Sequence, residues 1–306
     1  MPRLGRDPVL DRVESQVSQG DREFLERMRE YCRYFSVPMN HLVEVISDLK
    51  VVPMIRGKGF EYFVSDYLRR NLQPPDQWEV TNPNVNPQLS SHDTDVTVRR
   101  TSGGRAITIE CKLAGKGSLL TRHVRPQMKV KCMRSRTVGD SAAADTMSER
   151  YGVERSMLLN HKDNYREMDF DFVITSLENA MWGTEETMYT FQGTRALFDM
   201  LSGLFPNRFR PFTNLENFRL EAANFLMMAR SSDLIVSPRN RIRCVRRECI
   251  QAGTDVDCGF VPNYPIIDLN AVAHNQGPWR LLPEGLTVFR TFTPPARGGQ
   301  LGLDSS

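Results

Sequence analysis

A short segment of the chain concentrates charged side chains that could bind a metal ion. Asp93, Asp95, Glu110 and Lys112 all lie in HDTDVTVRRTSGGRAITIECKLAGKGS, residues 92–118. Magnesium prefers carboxylate oxygens and is usually held by one or two carboxylates together with a substrate phosphate. A lysine beside such a site can polarise or deprotonate a water molecule and offset charge on the phosphate. These residue types therefore indicate phosphate chemistry with Mg²⁺ as cofactor.

Two predicted strands would position these groups. Residues 94–99 and 105–113 alternate apolar and polar side chains with a period of two, and the TSGG between them is typical of a hairpin turn. Glu110 and Lys112 then project from one face, about 7 Å apart, while the residues between and beside them turn to the core. Pairing of the strands can bring Asp95 next to Glu110, and like charges that close repel unless a cation intervenes.

Three motifs in this order resemble those of the PD-(D/E)XK nuclease superfamily. They are the acidic residue of GKGFE on a predicted helix, the aspartate of TDVTV at a strand start, and IECK on the next strand. The resemblance covers residues 55–136 and extends to a strand predicted near 170–176. It implies an α/β fold in which a mixed central β-sheet, the restriction-endonuclease-like core, is flanked by helices and carries helical N-terminal and mixed C-terminal additions.

The resemblance also implies a role for each matching residue. Asp95, Glu110 and the backbone carbonyl of Cys111 would hold one or two Mg²⁺ ions. Lys112 would position the attacking water, and Glu61 would assist as an auxiliary acid. The predicted catalytic residues are thus Asp95, Glu110, Lys112 and Glu61.

The first motif departs from the family pattern, because no proline precedes the aspartate in HDTD. Asp93 therefore stays open as a metal ligand beside Asp95, which we prefer because it directly precedes the alternation of Val96 and Val98. The acid-x-lysine triplet has little specificity by itself, since DLK at residues 48–50 is another. Only the triplet ending at Lys112 follows an aspartate-bearing strand and a turn.

Clusters of basic residues predict a DNA-binding surface. No acid occurs between Glu110 and Asp140, and a basic helix predicted after Pro126 would neutralise backbone phosphates. The arginine-rich run SPRNRIRCVRREC could contact phosphates or guanine edges. The candidate DNA-binding residues are Lys116, Arg122, Arg125, Lys129, Lys131, Arg134, Arg136, Arg239, Arg241 and Arg243.

Composition adds weaker indications. The 40 basic residues include 33 arginines, whose guanidinium groups suit bidentate contact with phosphate. The six cysteines are expected to be reduced, since no signal segment is recognised. Cys244, Cys249 and Cys258 with His274 could form a zinc site, but close C-x2-C pairs are lacking and buried thiols are the expectation.

Hydrophobic periodicity organises the rest of the chain. Helices are predicted in residues 21–35, 40–49, 57–70, 184–205 and 214–230, and strands in 73–87, 169–182, 233–238 and 241–249. We divide the chain into a helical region (1–54), a nuclease-like core (55–182), a helical and short-strand region for DNA binding or dimerisation (183–292), and a disordered tail (293–306).

The sequence thus predicts a cytoplasmic, magnesium-dependent endodeoxyribonuclease that hydrolyses phosphodiester bonds of double-stranded DNA. By family analogy it looks most like a type II restriction endonuclease acting as a homodimer, with no membrane and no nucleotide cofactor involved. The alternatives are a repair, resolvase or phage-defence nuclease of the same fold, and a non-catalytic nuclease-fold DNA-binding protein.

Overall fold

The computed structural model describes residues 18–83, 94–119, 126–134, 144–145, 148–149, 152–244, 246–252 and 258–295. The chain divides into two compact units, Met1–Arg56 and Gly57–Ser306. Several predicted features lie outside the described residues: Asp93, Arg122, Arg125, Arg136 and the tail from residue 296 onward.

Helices are found at both ends of the described chain and between its strands. The α-helices are α1 (Gln19–Tyr34), α2 (Leu42–Ser47), α3 (Val52–Asn71), α4 (Arg155–Asn160), α5 (Arg195–Leu204), α6 (Leu215–Asn224), α7 (Ser231–Leu234), α8 (Arg247–Ala252), α9 (Leu269–Ala273) and α10 (Leu282–Thr291). Short 3-10 helices occur at Met39–His41, Pro75–Gln77 and Glu178–Met181.

A mixed sheet forms the centre of the second unit. The strands are β1 (Trp78–Thr81), β2 (Val96–Arg100), β3 (Ile107–Cys111), β4 (Gln127–Lys129), β5 (Phe172–Ser176), β6 (Trp182–Thr184), β7 (Tyr189–Phe191), β8 (Leu226–Arg230), β9 (Ile266–Asp268) and β10 (Arg280–Leu281). The main sheet has the order β1-β2-β3-β5-β8-β10, and β4 with β9 and β6 with β7 form two further pairs. Only β3 and β5 run parallel within the main sheet of the described chain.

Apolar side chains cover both faces of this sheet. On one face, Phe60, Val64 and Leu68 of α3 pack with β2, β3 and α10, as expected from their helical spacing. On the other face, side chains of α5 and α6 pack against Val173 of β5 and Met227 of β8. The protein is therefore α/β, with a mixed central sheet flanked by helices, as the sequence predicts.

The glycine turn closes the predicted β2–β3 hairpin. Gly103 and Gly104 have φ values of 98° and 101°, a region that favours glycine, and the Gly103 N–H donates to the Arg100 carbonyl at 3.0 Å. A buried carboxylate then connects β3 to β5, because Asp171 Oδ2 accepts from the Thr108 N–H at 2.8 Å and from its hydroxyl at 3.0 Å. These contacts fix β3 between its antiparallel and parallel neighbours.

Several secondary-structure predictions are wrong. The helix predicted after Pro126 is absent, because residues 127–129 form β4 and pair with β9. The helix predicted for 184–205 is a β6–β7 hairpin followed by the shorter α5, and that for 214–230 ends at Asn224, before β8 enters the sheet. The predicted strands at 233–238 and 241–249 are instead α7, turns and the start of α8.

The helices α1 and α2 agree with the sequence prediction, since α1 overlaps the predicted segment 21–35 and α2 lies within 40–49. Among the described residues, no helix has both the length and the apolar composition needed to cross a bilayer.

Candidate active site

The two strands of the hairpin bring Asp95 and Glu110 together. Val96 pairs with Ile109, so one further step along the antiparallel ladder sets Asp95 opposite Glu110. The Asp95 Oδ2 atom accepts a hydrogen bond from the Cys111 N–H at 2.7 Å, which holds the carboxylate against the end of β3. The hairpin register thus produces the predicted juxtaposition of the two acids.

Glu110 is a buried carboxylate with one oxygen engaged. Its relative exposure is 2%, because Glu110 lies beside Val173 of β5 on the sheet face that the core cluster containing Tyr165 covers, a face that alternation alone would leave at the surface. Oε1 lies 2.6 Å from Lys112 Nζ and accepts a hydrogen bond from the Tyr165 hydroxyl at 2.6 Å. Oε2 is buried without a hydrogen-bond partner in the described part of the chain.

Lys112 is a mostly buried cation that is paired with Glu110. Its Nζ also lies 5.1 Å from the centre of the Tyr165 ring. Burial lowers the pKa of the Lys112 ammonium, but Glu110 and the other facing groups outweigh burial and raise the pKa well above its ordinary value. A fall in this pKa, which burial alone would produce, does not occur, so the side chain remains protonated in the absence of a metal ion.

Burial and the nearby carboxylates raise the pKa of Asp95. Burial, followed by the charge of Glu110 and a smaller contribution from Glu61, raises its pKa from 3.8 to about 8, although Lys112 and the Cys111 N–H act in the opposite direction. Ionisation of a buried carboxylate is costly, but it becomes favourable once a cation shares the site. Together with the unpaired Glu110 Oε2, the geometry fits a hard divalent cation held by Asp95 and Glu110.

Glu61 lies near this pair, on α3. Its side chain is 14% exposed and forms an ion pair with Lys58 at 2.5 Å. Asn82 connects the helix to the hairpin, because its amide donates to the Glu61 carbonyl at 3.5 Å and to the Asp95 carbonyl at 3.2 Å. The predicted auxiliary acid is therefore within electrostatic reach of Asp95.

Tyr165 is the site residue that sequence reasoning missed. It lies between the isolated β-bridges of Asn164 and Arg166, far along the chain from the hairpin, and no local motif marks it. Besides bonding Glu110, its ring packs edge-on against Phe170 at 5.2 Å and lies 5.7 Å from the Arg134 guanidinium. Arg134, a predicted DNA contact, forms a mostly buried ion pair with Asp169 at 3.2 Å. Arg134 thus packs against Tyr165 and pairs with Asp169 instead of extending into solvent.

The other predicted DNA contacts in the described chain are exposed. Lys129 and Lys131 lie on and just after β4, and Lys116 places its ammonium 3.6 Å from the centre of the Tyr189 ring. Arg239, Arg241 and Arg243 occupy the turn segment before α8. A cationic surface is therefore available, although β4 presents its lysines instead of the helix predicted there.

One open cavity brings two of these groups together. Lys129, Arg241 and Arg243 line a cavity of about 780 Å³, with Tyr264 and Ile266 on its wall. Residues from the two basic segments of the sequence therefore meet at one concave surface. Both cationic and apolar side chains therefore line this surface.

No protein-family model, curated protein or solved structure matches this chain.

Proposed function

We propose that this protein is a magnesium-dependent endodeoxyribonuclease that hydrolyses phosphodiester bonds of double-stranded DNA. The observation that carries the proposal is the convergence of Asp95 and the buried Glu110, with Lys112 at 2.6 Å from Glu110. Glu61 on the preceding helix completes the order of acidic helix, aspartate strand and E-x-K strand. That order agrees with the resemblance to PD-(D/E)XK nucleases and with the restriction-endonuclease-like core it implies.

Asp95 and Glu110 would hold Mg²⁺, with the Cys111 carbonyl as a further oxygen ligand. When bound, the ion supplies Lewis-acid stabilisation of the charge that develops on the phosphate and lowers the pKa of water. Each remaining role belongs to the chain itself. Tyr165 and Lys112 hold Glu110 through its Oε1, which leaves Oε2 for the ion.

Lys112 is best suited to act as a hydrogen-bond donor and a positive charge. Its raised pKa disfavours a general-base role in the metal-free protein. An ammonium at this position can orient the attacking water and offset the charge on a non-bridging phosphate oxygen. Glu61, close to Asp95, would support the same network from α3.

Substrate binding is assigned to the exposed cations. Lys129, Arg241 and Arg243 would contact backbone phosphates, which gives affinity without sequence information. Sequence-specific cleavage by a homodimer, as in a type II restriction endonuclease, is the finer form of the proposal and rests on the resemblance. A twofold protein would match a palindromic site and cut both strands.

The test is incubation of the purified chain with a long mixed-sequence plasmid, in magnesium or in chelator, followed by resolution of the products. We expect cleavage in magnesium that disappears with chelator and in Lys112→Ala. Discrete fragments support the restriction-type reading, whereas cutting at junctions or at random supports another nuclease role. Intact plasmid under all conditions contradicts the proposal and favours a non-catalytic DNA-binding protein.

A further inference from the structure

Three cysteines and a histidine meet at a second location in the fold. The thiols of Cys244, Cys249 and Cys258 and the imidazole of His161 have their potential ligand atoms all within 4.8 Å of one another. Cys249, Cys258 and His161 are buried, and Cys244 is half-buried. None of the carboxylates assigned above belongs to this group, so the cluster is distinct from the proposed magnesium site.

Three of the six distances among the four ligand atoms are close to those of a tetrahedral ion site. His161 Nε2 lies 3.3 Å from Cys249 Sγ and 3.8 Å from Cys244 Sγ, and the Cys249 and Cys258 sulfurs are 3.3 Å apart. Tetrahedral zinc, with Zn–S near 2.3 Å and Zn–N near 2.0 Å, separates neighbouring ligand atoms by roughly 3.5–3.8 Å. A disulfide would require about 2.05 Å, so the sulfurs are not joined.

Neighbouring groups prepare these side chains for ligation. His161 Nδ1 lies 3.4 Å from Asn164 Oδ1, and a proton on Nδ1 leaves the Nε2 lone pair directed at the cysteines. The Asn164 amide is itself fixed by donating to the Val261 carbonyl at 2.8 Å. Phe260 stacks on the His161 ring at 4.5 Å, and the Arg246 N–H points at Cys244 Sγ at 3.5 Å. Both the tautomer and the ring orientation are thereby favoured.

We propose that His161, Cys244, Cys249 and Cys258 bind one structural Zn²⁺ ion. Four protein ligands close the tetrahedron, which is typical of structural rather than catalytic zinc. Thiolate and imidazole donors select zinc over magnesium, and binding releases the thiol protons. His274, the fourth ligand considered from sequence, is exposed at the end of α9, so the chain supplies His161 from another segment instead.

This ion would connect two functional parts of the molecule. Cys244 directly follows Arg243, and both line the cavity that also contains His161. On the other side, the Val261 N–H donates to the Tyr165 carbonyl at 2.8 Å, and Tyr165 bonds Glu110. Zinc would therefore fix the arginine-bearing turn relative to the segment that orients the buried carboxylate.

The test measures metal content in the full chain purified under reducing conditions. We expect about one zinc per chain by elemental analysis, release of zinc by a thiol-modifying organomercurial, and a thiolate-to-cobalt charge-transfer band after exchange with Co²⁺. Cys249→Ser should lose the zinc, and His274→Gln, a matched exposed histidine, should retain it. Cys244→His, which supplies a nitrogen ligand in place of the thiolate, should bind zinc better than Cys244→Ser.

Three outcomes would overturn the proposal. The first is wild-type protein that contains less than about a tenth of an equivalent of zinc and shows no cobalt charge-transfer band. The second is equal zinc content in wild type and Cys249→Ser. The third is an intact mass that reveals a Cys249–Cys258 disulfide. The first and third use unmodified protein, so poor folding of a variant cannot hide a negative result. Because no step measures DNA cleavage, failure here is distinct from failure of the nuclease proposal.

Discussion

Replacing Asp95 by asparagine should stabilise the metal-free protein at neutral pH. The pKa of Asp95 is raised from 3.8 to about 8, chiefly by burial and then by the charge of Glu110. Between these two values the folded state keeps a proton that the unfolded chain has lost, so stability falls as pH rises. The contribution of protonated Asp95 to the free energy of unfolding is fully present below about pH 4, and it is lost progressively as the pH rises to about 8.

The size of the effect follows from the same pKa values. Each pH unit in this window costs about 1.4 kcal/mol of unfolding free energy, so the cost at pH 7 is on the order of 4 kcal/mol. Asparagine does not ionise, and its side-chain oxygen can still accept the Cys111 N–H bond found at 2.7 Å. We therefore expect Asp95→Asn to exceed wild type by up to about 4 kcal/mol at pH 7 and by little near pH 4.

Urea unfolding in chelator, followed by circular dichroism at several pH values, measures this difference. The control is Asp76→Asn, since Asp76 is an exposed aspartate on the same unit. Magnesium at a hundredfold its dissociation constant should add about 3 kcal/mol to wild type and much less to Asp95→Asn. The crowding of carboxylates at this site would be refuted if the difference in unfolding free energy between Asp95→Asn and wild type stayed constant from pH 4 to pH 8. It would also be refuted if Asp95→Asn were less stable than wild type at pH 7.

Further substitutions probe the rest of the site. Tyr165→Phe removes the hydrogen bond to the buried Glu110 carboxylate. The unfolding free energy measured in urea should therefore fall by about 1–3 kcal/mol, and plasmid cleavage should slow by about 10–100-fold. Unchanged cleavage would show that Tyr165 does not position Glu110 for catalysis. Lys112→Ala leaves that carboxylate without its cation and should cost about 3 kcal/mol in the same unfolding assay, and wild-type stability would count against the ion pair. Lys129→Ala and Lys131→Ala should each reduce the slope of log DNA affinity against log salt concentration by about one. The control Lys162→Ala should leave this slope unchanged. Equal slopes in all three variants would show that β4 does not contact DNA.

The hairpin could be predicted from sequence because its signals are local. Alternation in β2 and β3 and the paired glycines specify both strands and their turn, and the register then determines that Asp95 faces Glu110. The burial of Glu110 could not be predicted in this way. It depends on the core cluster that packs on this face of the sheet and on Tyr165, which lies 55 residues further along the chain in a segment without a motif.

Apolar runs explain most of the errors in the remaining fold. The segment through Asn224 and Leu226 fits a helical period, yet residues from Leu226 onward form a central strand because β5 and β10 offer it hydrogen bonds on both edges. The cysteine cluster illustrates the same limit. Its three thiols were visible in sequence, but His161 is brought to them only by tertiary packing.

The most direct test of the central claim is the rate of the first nick in supercoiled plasmid DNA. Wild type, Glu110→Gln and the exposed control Glu79→Gln are compared in saturating magnesium and in chelator. We predict that Glu110→Gln nicks more than about 100-fold slower than wild type, that Glu79→Gln matches wild type, and that chelator stops all nicking. Nicking by Glu110→Gln at the wild-type rate, or by wild type in chelator, would contradict a metal-dependent site built on this buried carboxylate.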